Sequence, residues 1–93
     1  MSTPHEQLTR PDGTPIRVLT VDDEPSITEL LGMALRYEGW DVTAATSGLG
    51  AVQAARDTRP DVIVLDMMLP DFDGLEVMRR VRAEQPDVPV IFL

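Results

Sequence analysis

Apolar and polar positions follow two alternating rhythms along this chain. Ile16-Arg17-Val18-Leu19-Thr20-Val21 is a short, β-branched run that predicts a first strand. Asp22-Asp23-Glu24-Pro25-Ser26 stops it and opens a helix, with proline suited to the first turn and acids at the positive end of the dipole. Ile27, Leu30, Leu31, Ala34 and Leu35 recur at helical spacing and predict its inner face, with Gly39 ending the helix after Glu38. Trp40–Ala45 predicts a second strand. Ser47 can cap a second helix running through Arg59, with Val52 and Ala55 inward and Pro60 beyond its end, although Gly48 and Gly50 weaken its start. Asp61–Asp66 carries an unbroken apolar run, the pattern of a strand buried on both faces. Gly74–Glu84 predicts a third helix with Leu75, Met78 and Val81 inward and Arg79, Arg80 and Arg82 outward. Pro86-Asp87 is a turn, and Val88–Leu93 predicts a fourth strand.

Strand and helix therefore alternate as β-α-β-α-β-α-β with short connections. That order predicts an α/β fold with a parallel sheet, right-handed crossovers and helices on both faces. Residues 1–15, with three prolines and mostly polar side chains, read as a flexible tail, and 16–93 as the folded domain. His5, the only histidine, lies in that tail and is not read as a catalytic base.

Composition narrows the function. The chain has 93 residues and no cysteine, which excludes disulfides, thiolate metal sites and cysteine nucleophiles. Nothing resembles a membrane span or a signal peptide, so no membrane association and a cytoplasmic location are expected. Sixteen acids against eight bases give a net charge of −8, and all the bases are arginine. Such a surface repels phosphate backbones, so no direct nucleic-acid binding by this segment is expected.

In an open parallel sheet, ligands bind outside the carboxyl ends of the strands. Asp22 and Asp23 end the first strand, and Asp66 ends the third. If these strands are neighbours, three carboxylates share one crevice. Two unit charges about 4 Å apart repel by roughly 4 kcal/mol at an effective dielectric near 20. Such a cluster keeps a proton or holds a cation, and hard oxygen ligands favour Mg²⁺ or Mn²⁺. Each aspartate alone could equally be a turn or cap residue. An EF-hand reading of Asp71-Phe72-Asp73-Gly74 fails, because the flanking oxygen ligands that such a loop needs are missing.

The stretches VLTVDDEP, VIVLDMMLPDFDG and VPVIFL resemble the first, third and fourth strand regions of two-component response-regulator receiver domains. The likeness runs from about Ile16 to Leu93. It implies a flavodoxin-like, doubly wound fold with strand order 2-1-3-4-5, in which Asp66 accepts a phosphoryl group from a sensor histidine kinase. It further implies Asp23 as a direct Mg²⁺ (or Mn²⁺) ligand, Asp22 holding the metal largely through water, and the Met68 backbone carbonyl as the remaining protein ligand. Pro70 and Gly74 would shape the loop, Asp73 would cap the third helix, and the methionine side chains would pack. Such a module is a regulatory phosphoacceptor, with at most self-phosphorylation and dephosphorylation chemistry, rather than an enzyme.

Two departures stand out. Receivers continue with a Ser or Thr after the fourth strand and a Lys after the fifth. This chain ends at Leu93 and contains no lysine, so neither switch residue is present. The expectation is a (βα)5 receiver fold lacking its fourth helix, fifth strand and fifth helix. An apolar edge strand and an uncovered sheet face beside the first helix would then favour self-association, as a homodimer or larger, or else leave folding marginal. Asp71 also stands where many DNA-binding relatives have glycine. The Met-Leu-Pro after Asp66 leans towards regulators with a winged-helix DNA-binding output domain, so DNA would be reached through a domain outside this segment. The alternatives are a shortened, non-signalling dimerisation fragment and a Mg²⁺-dependent phosphohydrolase using an aspartyl phosphate. The latter expects Asp-x-Asp after the first strand, where this chain has Asp22-Asp23-Glu24.

Overall fold

The computed structural model describes residues 8–93, so His5 and its neighbours in 1–7 lie outside the described residues. The elements follow in the order β1 (Arg17–Val21), α1 (Pro25–Tyr37), β2 (Asp41–Ala45), α2 (Gly48–Thr58), β3 (Val62–Leu65), α3 (Gly74–Glu84) and β4 (Val90–Phe92). The four strands form one parallel sheet in the order β2-β1-β3-β4. This is the flavodoxin-like arrangement. β1 lies between β2 and β3, with Val18 opposite Val42 on one side and Val62 on the other.

The two-residue period of the strands divides the side chains between two layers. Leu19, Val21, Ile63 and Leu65 point to one face and pack with Ala51 and Ala55 of α2 and Val77 and Val81 of α3. Leu19, Ile63 and Leu65 are completely buried, each contributing about 1.5–3 kcal/mol relative to exposure. Val18, Val62 and Val64 point to the other face. With Leu31 and Leu35 of α1 and Ile91 of β4, they line an open apolar groove of about 550 Å³. The sheet face beside the first helix is thus partly uncovered, and β3 is apolar towards both layers.

Two helices are rotated from the expected faces. On α1 the buried positions are Thr28 and Gly32. Leu31 and Leu35 are half-buried, while Ile27, Leu30 and Ala34 are exposed. The apolar residues span two adjacent ridges, and the ridge carrying the small Gly32 approaches the sheet, where an added Cβ would stand 3.8 Å from Val42. On α3 the buried positions are Gly74, Val77 and Val81, whereas Leu75 is exposed and Met78 half-buried. Close contact between Gly74 and the strand end below it sets that rotation. β4 is shorter than expected. Pro89 cannot donate to the ladder, but its carbonyl accepts the Ile63 N–H at 3.0 Å, and Ile91 and Leu93 are exposed.

Residues 8–15, read from the sequence as tail, close a turn bridged at Thr9 and Pro15. Asp12 accepts the Thr14 N–H at 3.0 Å, and Arg10 reaches Asp61 at 3.3 Å. Asp61 also accepts the Arg17 N–H, tying the turn to the start of β1.

Candidate metal centre at the carboxyl edge of the sheet

Register brings the acids together. Val21 and Leu65 are paired across β1 and β3, so the residues that follow them, Asp22 and Asp66, leave the sheet side by side. The Asp66 N–H donates to the Val21 carbonyl at 2.9 Å, and the Asp22 N–H to the Ala45 carbonyl at 3.2 Å. Carboxylate oxygens of Asp22, Asp23 and Asp66 all lie within 4.8 Å of one another. Asp22 is buried, Asp66 half-buried and Asp23 exposed, so the crevice opens to solvent on the Asp23 side.

Backbone hydrogen bonds orient two of the three carboxylates. Asp22 Oδ1 accepts the Glu24 N–H at 2.8 Å, and Asp66 Oδ1 accepts the Met68 N–H at 3.0 Å. Among the described residues none of the three is ion-paired to an arginine. The ion pairs gather elsewhere, on Asp12, Asp61, Glu76 and Glu84. At about 4.8 Å each pair of carboxylates repels by roughly 3–4 kcal/mol at an effective dielectric near 20. A small divalent cation would offset that repulsion, and an all-oxygen donor set suits one.

The loop after Asp66 is anchored at several points. The Gly74 N–H donates to the Met67 carbonyl at 2.9 Å, closing the loop on itself. A Cβ on Gly74 would lie 2.7 Å from the Asp66 carbonyl oxygen and 3.1 Å from Met67 Cα, so only glycine fits. Asp73 is the N-cap of α3, its Oδ1 accepting the Glu76 N–H at 2.9 Å. Met67 is half-buried, but Met68 is 77% exposed, so the expected packing of the methionines does not extend to Met68. It stands in the loop, three residues past the end of β3. Pro70 is exposed in the same loop.

Asp71 is the residue whose part sequence reasoning missed. Its Oδ1 accepts the Gly48 N–H at 2.7 Å and its Oδ2 the Leu49 N–H at 2.8 Å. The Leu49 amide above all, with those of Gly48 and Phe72, holds the Asp71 carboxyl below its ordinary value of 3.8. Ser47 caps the same helix in the expected way, accepting the Gly50 N–H at 3.0 Å. Asp71 and Gly48 are 23 positions apart, and no local pattern signals that pairing.

Comparison with known proteins places this edge in a family. Residues 18–93 match the response regulator receiver domain. The transcriptional regulatory protein TrcR of Mycobacterium tuberculosis is 55% identical over 87 residues, covering 94% of this chain and 34% of that protein. The chain thus spans about a third of the length of the curated relatives it matches. Among solved structures, the chemotaxis response regulator CheY4 of Vibrio cholerae superposes with a TM-score of 0.81 at 32% identity, covering 85% of this chain and 68% of that one. The response regulator TrrA of Thermotoga maritima, solved in complex with Mg²⁺-BeF, gives a TM-score of 0.76 at 36% identity, covering 83% of this chain and 67% of that one. Sheet order, acidic edge and likeness agree: this chain belongs to the response regulator receiver domain family.

Proposed function

We propose that this chain is the phosphoacceptor module of a two-component system, with Asp66 taking a phosphoryl group from the phosphohistidine of a sensor histidine kinase. The observation that carries this reading is the convergence of Asp22, Asp23 and Asp66 within 4.8 Å at the ends of adjacent strands. One Asp66 oxygen is engaged by the Met68 N–H, which leaves the other as the nucleophile. In the transfer, that oxygen forms a bond to phosphorus while the P–N bond of the donor breaks and imidazole leaves, giving an acyl phosphate.

Asp22, Asp23, Asp66 and the Met68 carbonyl would hold Mg²⁺ (or Mn²⁺). Bound there, the ion would screen the charge of the incoming phosphoryl group. Burial of Asp22 and its bond to the Glu24 N–H keep that carboxylate fixed, whereas the exposed Asp23 stands at the mouth of the crevice. Pro70, Asp73 and Gly74 shape the loop that presents Asp66. The role is regulatory rather than enzymatic.

Relatives such as TrcR are transcriptional regulators, and by analogy phosphorylation here would control an output domain that binds DNA. The net charge of −8 argues against DNA binding by the segment itself. A cytoplasmic location accompanies this reading, and no described helix is long and apolar enough to cross a membrane. The exposed β4 edge, with Ile91 54% and Leu93 60% accessible, and the groove beside α1 also favour self-association, which light scattering over a concentration series would detect. A monodisperse monomer would contradict it.

The deciding experiment for the phosphoacceptor is incubation with a small-molecule phosphodonor and Mg²⁺, followed by intact mass. One phosphoryl adduct is expected, abolished by Asp66→Asn and by chelation. An adduct that persists in Asp66→Asn overturns the assignment.

A further inference from the structure

The loop between β3 and α3 does more than connect them. Between Asp66 and Gly74 it makes a bidentate contact with a different helix, through Asp71 to the first amides of α2. The next residue reinforces this contact. The Phe72 ring lies so close to Gly48 that a Cβ there would be 2.6 Å from it, and the Arg80 guanidinium sits 4.3 Å from the ring centroid. At its other end the loop is tied by the Met68 N–H to Asp66 and by the Gly74 N–H to Met67. The stretch bearing Met68 thus hangs between an anchor on the strand end and an anchor on α2.

Capping alone does not account for Asp71. α2 has its own cap in Ser47, and the amide of the exposed Leu49 could be solvated instead. What Asp71 adds to the loop's local bonds is a tie to a separate helix, α2. We infer that Asp71 is a positioning residue for the acidic crevice: by gripping the start of α2 it pins the 67–73 loop, and with it the Met68 backbone, in the arrangement that faces Asp66. It touches neither the phosphoryl group nor the cation and acts through the loop. This inference rests on the reading of the crevice as a cation site.

The test compares the chain with Asp71→Ala and Asp71→Asn, the latter keeping one oxygen acceptor. Amide exchange is followed by NMR at Met68 and Gly74. Arg59 and Gln85, whose amides bond within the ends of α2 and α3, serve as controls. Mg²⁺ affinity is read from amide shifts without any phosphodonor. Asp71→Ala is expected to speed exchange at Met68 and Gly74, leave the controls unchanged and weaken Mg²⁺ binding about ten-fold, the scale of outer contacts at metal sites. Asp71→Asn is expected to recover part of both effects.

Unchanged exchange at Met68 and Gly74 overturns the inference. So does an increase shared equally by Arg59 and Gln85, which would mark a general loss of stability. Local loosening with unaltered Mg²⁺ affinity overturns it as well. Absence of Mg²⁺ binding in the unsubstituted chain overturns the cation reading instead, and with it the role at the crevice, while the exchange data still decide whether Asp71 holds the loop.

Discussion

Replacing Gly74 by alanine places a methyl group where the strand end and the loop already meet. The new Cβ would stand 2.7 Å from the Asp66 carbonyl oxygen, about 0.7 Å short of the 3.4 Å at which ordinary contacts begin. Met67 Cα, at 3.1 Å, is the second obstacle. Both obstacles are backbone, and one belongs to the residue that presents the central carboxylate, so relief requires moving β3 or tilting α3. Overpacking of this kind costs typically 1–3 kcal/mol. The helix preference of alanine over glycine returns at most about 1 kcal/mol. A net loss of about 1–2 kcal/mol is expected.

Gly48→Ala is the internal control, because Gly48 is likewise the first residue of its helix. There the closest atoms belong to the Phe72 ring, at 2.6 and 2.8 Å, and a side chain can swing aside. Gly48→Ala should therefore cost less than Gly74→Ala, although its nominal clash is the shorter one. Urea unfolding followed by fluorescence of Trp40, the single tryptophan, measures both. With a slope of about 1–1.5 kcal/mol per molar, the Gly74→Ala midpoint should fall by roughly 1–2 M. A Gly74→Ala chain as stable as Gly48→Ala would refute the claim that strand backbone, not helix propensity, dictates glycine at this position.

Three further outcomes follow from the same geometry. Mg²⁺ at a hundred times its dissociation constant should raise unfolding stability by about 2.7 kcal/mol, and Asp23→Asn should largely remove that gain. An equal gain in both chains would place the ion elsewhere. On α1, Leu30→Ala should be neutral within about 0.5 kcal/mol, because Leu30 is 71% exposed, whereas Leu31→Ala should cost more; the reverse order in urea unfolding would contradict the observed rotation of the helix. Because the Asp71 carboxyl titrates below its ordinary value, its contribution is fully present above pH 3.8 and is lost as pH falls through the lower folded-state value. Exchange protection at the Gly48 and Leu49 amides should accordingly fail only below 3.8, and a midpoint at or above it would contradict the geometry.

How much of this could be read from residues alone depends on the distance over which each feature is specified. The sheet was legible because alternation and apolar runs are written within single segments. Val62–Leu65, apolar on both sides, has the pattern of an inner strand, and the order of its neighbours was implied by the resemblance to receiver domains. Asp22, Asp23 and Asp66 were legible because they follow strand ends, and the order implied by the resemblance brings those ends together. Helix rotation was not legible. Ile27, Leu30, Leu31, Ala34 and Leu35 occupy two ridges of α1, and hydropathy points to them rather than to the neighbouring Thr28–Gly32 ridge that the small Gly32 lets lie closest to the sheet. On α3, Leu75 is more apolar than Gly74 yet is the residue left outside, because contact with the Asp66 carbonyl admits no side chain.

Asp71 shows the same limit in polar form. In sequence it is one more acid in a loop rich in them. Its partners on α2 are two backbone amides, which every residue but proline possesses, so no residue type could mark them in advance. The reasoning that located the carboxylates worked because charge must be balanced where strand ends converge. A carboxylate satisfied by amides leaves no such imbalance, and it becomes visible only once α2 and the loop are seen together. The polar contacts that hold a site in shape are therefore harder to read from a sequence than the groups at its centre. In this chain the test of Asp71 bears on how the crevice is held, and the test of Asp23 on what it holds.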